Sequence, residues 1–300
     1  MSEKKRHIVV GIGEILWDIY REKRFLGGAP ANFAIHANQL GCEGYIVSRV
    51  GRDGMGDELV RALKEHGISS DYVQSDKKKG TGTVLIQLDV RRNPSFHCSE
   101  DVAFDYLEIN DKTLELMRNA DAIVFGTLGS RKPQSQATIE TCIKACRGLR
   151  IFDINARKND SSLLALIKKM IPLTDILKVN DDEIDVLMRC FDKSGADALV
   201  FLRELIAKYR LKYVVVTRAE KGAVLVGDDI VERVDSLPIQ VKDATGAGDA
   251  FTAGLIVSCL NGEAPEKMLE FANQVGAFVC QQEGATPKLS KTMIEKFSKA

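Results

Sequence analysis

The chain alternates between short apolar runs and longer amphipathic stretches. Ile8 to Ile12, Ala122 to Gly126, Arg150 to Ile154, Ile176 to Val179 and Tyr213 to Thr217 are rich in β-branched and aromatic residues. Such short, nearly continuous apolar runs predict strands buried on both faces. Between them lie stretches of helical period: Ala31 to Leu40, stopped by Gly41; Gln134 to Arg147; Ser161 to Ile171, ended by Pro172; Asp181 to Met188; and Ala196 to Lys208. Ile46 to Val50 adds a strand and Asp57 to His66 a helix ended by Gly67, joined by the turn Gly51-Arg-Asp-Gly-Met-Gly56. Strands separated by helices predict an α/β fold with a doubly wound, mainly parallel sheet. In such sheets ligands bind beyond the carboxyl ends of the strands. The polar clusters Asp153-Ile-Asn-Ala-Arg157, Asn180-Asp-Asp-Glu183 and Thr217 fall at those ends.

One region breaks the rhythm. From Thr83 to Val90 the residues alternate, with Val84, Ile86, Leu88 and Val90 on one side and Leu85, Gln87 and Asp89 between them. Arg91-Arg-Asn-Pro94 reads as a turn and Ser95-Phe-His-Cys98 as a returning strand. This predicts an antiparallel hairpin with one wet face, set apart from the main sheet. Ala223 to Val226 and Val231 begin a further strand pair near the end of the sheet. No internal repeat, low-complexity tract or linker divides residues 1–300.

Candidate chemistry concentrates in Val241-Lys-Asp-Ala-Thr-Gly-Ala-Gly-Asp-Ala-Phe251. Gly246 and Gly248 sit in a polar turn, and an apolar run follows as far as the stop signal Asn261-Gly262. The turn therefore opens a helix, whose first amides lack internal partners and form the positive end of a dipole. Glycines let a ligand approach that backbone closely, so the turn is an anion seat suited to phosphate. An acid in such a seat, Asp249, either serves as an ordinary first-turn helix residue or accepts a proton from a hydroxyl that attacks the phosphate. Near the chain start, Asp18 and the helix-opening Asn32 offer acceptors and donors for sugar hydroxyls, and both also suit turn and cap roles.

Asp243-Ala-Thr-Gly-Ala-Gly-Asp249 resembles the C-terminal signature of the ribokinase-like (PfkB) carbohydrate kinases, with Ala244 where threonine is common. Gly27-Gly-Ala-Pro-Ala-Asn32 resembles the N-terminal signature, and with Gly13-Glu-Ile-Leu-Trp-Asp18 before it takes the form typical of the fructokinase branch. The resemblance spans nearly the whole chain and implies a single ribokinase-like kinase domain. A small β lid over the sugar is implied at about 14–28 and 80–106. It implies an ATP-dependent sugar kinase with Asp249 as general base and the backbone of Gly246, Ala247 and Gly248 as the catalytic anion seat. Asp18, Gly28, Asn32, Phe96 and Arg157 would bind sugar, and Asn180, Thr217, Gly222 and Asn273 the nucleotide. Asn180-Asp-Asp-Glu183 matches the magnesium-associated Asn-x-x-Glu, so Glu183 would help hold Mg²⁺ through water. Asp243 and Thr245, with backbone near Glu283-Gly-Ala-Thr286, would form a site for K⁺. In Val216-Thr-Arg-Ala-Glu-Lys-Gly222, Ala219 replaces the first glycine of the nucleotide loop. Arg157 also leaves 2-keto-3-deoxygluconate or another sugar open as the substrate, and a non-catalytic sugar or nucleotide sensor on the same fold is the rival from another class.

Composition narrows the partners. Lys+Arg and Asp+Glu are 42 each, and this zero net charge argues against a nucleic-acid or anionic-membrane binder. No apolar run reaches the roughly 20 residues of a membrane span. The run Ile8 to Ile12 is too short for a signal-peptide core, and seven scattered cysteines fit a reducing cytoplasm. Gly11-x-Gly13 lacks the third glycine of a dinucleotide fingerprint, Leu16 standing there, and no P-loop sequence occurs. The exposed edges of the hairpin could pair between subunits, so a homodimer through the lid is expected.

Overall fold

The computed structural model describes residues 6–88, 94–156 and 160–298. Its larger sheet has nine strands: β1 (Ile8–Ile12), β4 (Glu43–Gly51), β5 (Val73–Asp76), β8 (Ala122–Gly126), β9 (Leu149–Asp153), β10 (Ile176–Asn180), β11 (Tyr213–Thr217), β12 (Ala223–Val226) and β13 (Val231–Val234). They run in the order β13-β12-β11-β10-β9-β8-β1-β4-β5, parallel from β11 to β5 and antiparallel only at β12 and β13. The doubly wound sheet read from the apolar runs is therefore present. The interior strands β1, β8, β9, β10 and β11 bury most of their residues, with half-buried positions only at their ends, as expected of strands covered by helices on both faces.

Two apolar layers sandwich this sheet. On one side β-strand residues such as Val9, Ile151 and Val215 pack with Phe33 of α1 (Ala29–Gln39), Leu255 and Ile256 of α8 (Ala247–Leu260) and Leu269 and Val275 of α9 (Pro265–Cys280). On the other, Phe125, Phe152, Leu177 and Val214 pack with α3 (Asp111–Asn119), α4 (Pro133–Ala145), α5 (Ser161–Met170), α6 (Asp181–Cys190) and α7 (Ala198–Tyr209). The period of two along each strand sends Ile176 and Lys178 to the first layer and Leu177 and Val179 to the second. That alternation carries a charged residue, Lys178, toward α8.

The smaller sheet is the lid. It comprises β2 (Leu16–Tyr20), β3 (Lys23–Gly27), β6 (Gly82–Leu88) and β7 (Pro94–Cys98), in the order β3-β2-β6-β7. The predicted hairpin is β6 with β7, and β2 joins β6 in parallel register, Asp18 opposite Val84. Leu16, Val84, Val102 and Phe104 form a separate small core beneath it, while Leu85 stays exposed on the other face. The lid edge is tied to the body by Lys23–Glu283, 2.5 Å, and Trp17 Nε1–H donates to Met55 O at 3.1 Å.

Several elements were not expected from the sequence, among them β5, α3 and the last helix at Lys291–Ser298. In α3 only Thr113, Leu116 and Met117 are buried, so its apolar stripe is narrow; Asn110 starts it by accepting from Thr113 N at 2.8 Å. The helix α2 (Gly54–Glu65) begins earlier than the apolar period suggests, because Asp53 caps it by accepting from Gly56 N at 2.8 Å. Among the described residues no helix is long and apolar enough to cross a membrane.

Because α8 is buried nearly all round, truncating it should be costly. Leu255→Ala is expected to lower unfolding free energy by about 2–5 kcal/mol in urea titration; a loss below about 1 kcal/mol would place Leu255 outside the core.

Candidate active site

The carboxyl ends of the parallel strands gather most of the residues singled out from sequence. α8 starts there on Gly246, whose φ of 75° lies in the left-handed region, and it has no side-chain cap. A Cβ at Gly246 would stand 2.6 Å from Ala285, so only glycine permits this close approach. The first turn thus has no side-chain cap, while Ala247 N–H donates to Ala244 O at 3.2 Å within the preceding turn. α1 starts opposite it on Gly28, φ 104°, where a Cβ would meet Glu14 O at 2.5 Å.

Those two helix starts meet. Asn32 Nδ2–H donates to Asp249 Oδ2 at 2.8 Å, across 217 residues of sequence. Asn32 is buried and its Oδ1 has no hydrogen-bond partner among the described residues. Asp18 lies on the lid strand β2, its carboxylate against Gly27, so the lid brings it to the chain that enters α1. Phe96 pairs in register with Ile86 on the lid; its side chain and all of Arg157 lie outside the described residues.

Asn180 and Glu183 form a reciprocal cap on α6. Asn180 Oδ1 accepts from Glu183 N and Glu183 Oε2 from Asn180 N, both at 2.9 Å, while Glu183 Oε1 accepts from Ala156 N at 2.7 Å. The cap and the ligand reading thus coexist only if Glu183 uses its remaining lone pairs, which suits contact with a metal's water better than direct ligation. Burial, reinforced by Asp153, raises the Glu183 pKa against the opposing pull of Lys178 and the two amides. Among the described residues no group of three or more His, Cys, Asp or Glu is arranged to hold a metal directly.

Thr217 stands beside Asn180 in the β10–β11 register, and Gly222 closes the following turn at φ 80°. Ala219, in place of a glycine, takes φ 45° there. The turn keeps a left-handed residue at a cost of roughly 1–2 kcal/mol. Asn273 is less directly placed: its Nδ2–H donates to Asp235 O at 3.0 Å. Asp243 links two loops, Oδ1 accepting from Thr245 N at 2.9 Å and Oδ2 from Gly284 N at 3.0 Å. Each oxygen keeps a lone pair, so the pairing of these loops is compatible with a monovalent cation without requiring one.

Of three further residues at the site, Lys178 and His36 escaped the sequence reading, and Asp153 was read only as part of a polar cluster at a strand end. Lys178 and Asp153 are register partners on β10 and β9, both buried, with Nζ 3.1 Å from Asp153 Oδ1. A Cβ at Gly248 would lie 3.2 Å from Lys178 Nζ, so this ammonium is directly behind the seat. Burial pulls the Lys178 pKa down, but Asp153, Glu183 and Asp249 outweigh it and hold it above the ordinary lysine value. A lysine interrupting the apolar run Ile176-Leu-Lys-Val179 was the available signal. The third, His36 on α1, is fully buried with Nε2 2.8 Å from Ala285 O.

Residues 16–292 match the pfkB family carbohydrate kinase. A sugar kinase of Pyrococcus horikoshii, described as uncharacterized, has a solved structure that superposes with a TM-score of 0.83 at 28% identity, covering 96% of this chain and 97% of that one; another of its structures holds ATP. A fructokinase of Vibrio alginolyticus is 28% identical over 278 residues, 88% of each chain. An ATP-dependent 6-phosphofructokinase of Thermoanaerobacterium thermosaccharolyticum is 27% identical over 303 residues, 94% of this chain and 91% of its own.

His36 yields a pH prediction. Burial, assisted by His66 and opposed by the bond to Ala285, lowers its pKa from 6.5 to about 4. The unfolded chain therefore binds a proton that the folded chain refuses between those values. Stability should be intact above pH 6.5 and fall by roughly 3 kcal/mol on acidification to pH 4. In urea titrations, His36→Gln should show a pH 7 to pH 4 loss smaller than wild type by that amount; equal losses would disprove the assignment.

Proposed function

Because the chain belongs to the pfkB family of carbohydrate kinases, we propose that it transfers the γ-phosphoryl group of ATP to a primary hydroxyl of a free sugar, with fructose as the substrate. The observation that carries this reading is the 2.8 Å bond between Asn32 and Asp249. It joins the polar helix start suited to sugar hydroxyls to the carboxylate inside the anion seat.

In this reading the Asp249 carboxylate accepts the proton of the attacking hydroxyl. Asn32, Asp18 and the backbone at Gly28 orient the sugar, with Phe96 and Arg157 assigned to the same pocket. The first-turn amides from Gly246 to Gly248 face the charge that develops on the transferring phosphoryl group, reinforced by the helix dipole. Phosphoryl transfer depends mainly on placement and charge stabilisation, which is what these fixed amides supply. Asn180, Thr217, Gly222 and Asn273 line the nucleotide side. Glu183, with Asn180, would hold the water shell of Mg²⁺, which neutralises phosphate charge when bound. Asp243 and Thr245 would hold K⁺ against the same loop. The lid excludes water from the site, which otherwise competes with the sugar for the phosphoryl group.

Fructose is favoured by Glu14-Ile-Leu-Trp-Asp18 and Gly27-Gly-Ala-Pro-Ala-Asn32, and by fructokinases among the relatives. The free edges β3 and β7, with Leu85 exposed between them, support a homodimer through the lid. Seven free thiols support a reducing cytoplasmic setting.

ADP release from ATP·Mg²⁺ with fructose, ribose, glucose, 2-keto-3-deoxygluconate and fructose phosphates, with and without K⁺, tests the substrate. Fructose should dominate; preference for the keto-deoxy acid or a sugar phosphate would overturn it, and binding without turnover would favour a sensor. Asp249→Asn should lower kcat by at least 10³-fold, of the order seen when an essential catalytic group is lost, while fructose and ATP binding persist in calorimetry. Near-normal kcat would remove Asp249 as the base.

A further inference from the structure

Asp153 does more than balance a buried lysine. Its Oδ1 lies 3.1 Å from Lys178 Nζ, and its Oδ2 lies 3.2 Å from Thr252 Oγ1. Thr252 Oγ1 is also 2.9 Å from Gly248 O, so the one hydroxyl proton is shared between the Asp153 carboxylate and the first turn of α8. All three side chains are buried. Back-bonding of a threonine hydroxyl to the carbonyl four residues earlier is common in helices. Thr141, exposed on the outer face of α4, makes the same bond to Ala137 O at 2.8 Å. What differs at Thr252 is the buried anion behind it, anchored on the central strand β9.

We propose that Asp153 is a positioning residue: through Thr252 it fixes the Gly246–Asp249 turn to the sheet, and through Lys178 it fixes a positive charge behind that turn. The inference rests on the sugar-kinase reading of the same site. The physical reason is that α8 starts without a side-chain cap. An anion seat must leave its amides to the ligand, so the turn needs its rigidity from the opposite side. The carbonyl of Gly248, the hydroxyl of Thr252 and the carboxylate of Asp153 supply it without covering an amide. A seat whose donors are already aimed stabilises developing charge without reorganising; a loosened seat should therefore lower kcat more than it raises KM.

Thr252→Val removes the hydroxyl at nearly constant shape, Thr252→Ser restores it, Asp153→Asn removes the charge, and Thr141→Val is the control for an ordinary helical back-bond. Steady-state kinetics and amide hydrogen exchange of residues 243–253 are read together. Thr252→Val and Asp153→Asn should lower kcat about tenfold or more, with both KM values within about threefold, and should speed exchange in that segment. Thr252→Ser and Thr141→Val should match wild type in both. Normal kcat in Thr252→Val, unchanged exchange, or an equal effect from Thr141→Val would each overturn the proposal. If wild-type protein phosphorylates no sugar, the kinase reading falls, and the exchange contrast alone decides whether Asp153 and Thr252 hold the turn.

Discussion

The start of α8 at the carboxyl edge of the sheet is the constraint on which the rest of this site depends. Its N-cap, Gly246, is a left-handed glycine without a capping side chain, pressed against Ala285, and Lys178 lies behind Gly248 two residues further on. A helix start of that kind would ordinarily be satisfied by a serine, threonine or aspartate cap. Here the cap is missing and the rigidity comes from behind. Within that turn one carboxylate, Asp249, is held in place by the side-chain amide of Asn32 on the facing helix, and in the proposed reading the turn receives the anion.

The same need for orientation explains the polar residues buried beneath the strand ends. Placing Lys178 and Asp153 out of water is costly unless each finds its partner, and the register of β9 and β10 guarantees that they do. Glu183 is treated similarly, with both carboxylate oxygens occupied by backbone amides. His36 accepts burial in its neutral form so as to hold the Ala285 carbonyl, whose loop walls the seat. These groups contribute little to stability by themselves. Their common effect is to fix the loops at 153–156, 180–183, 243–249 and 283–286 relative to each other, while the apolar layers above and below the sheet supply the folding energy.

Much of the fold was legible in the sequence because its causes are local. The runs at β8, β11 and β12 coincide with the strands found, since a strand buried on both faces needs an unbroken apolar run. The alternating residues after Thr83 announced a lid hairpin for the opposite reason, one wet face. The stop of α8 at Asn261-Gly262 and the cap of α6 at Asn180 are equally local. β5 and α3 were missed because their apolar patterns are short: α3 buries only three side chains and relies on a cap and on neighbours to form. Ala219 shows the limit of motif reading, since the turn keeps its left-handed residue even where glycine is replaced.

The sequence by itself determined most of the element order, the parallel α/β layers and the local shape of the glycine turns, because propensity, period and capping act within a few residues. Tertiary structure decided which distant groups share a site. Asn32 reaches Asp249, and Lys178 with Asp153 lies behind Gly248, only because parallel strands bring their carboxyl ends side by side and pack α1 and α8 on the same face. Period two sent Lys178 toward α8, yet only the β9–β10 register could show that a carboxylate stands opposite it. Pairing across the sheet depends on contacts between segments tens to hundreds of residues apart, and a one-dimensional pattern carries no record of them.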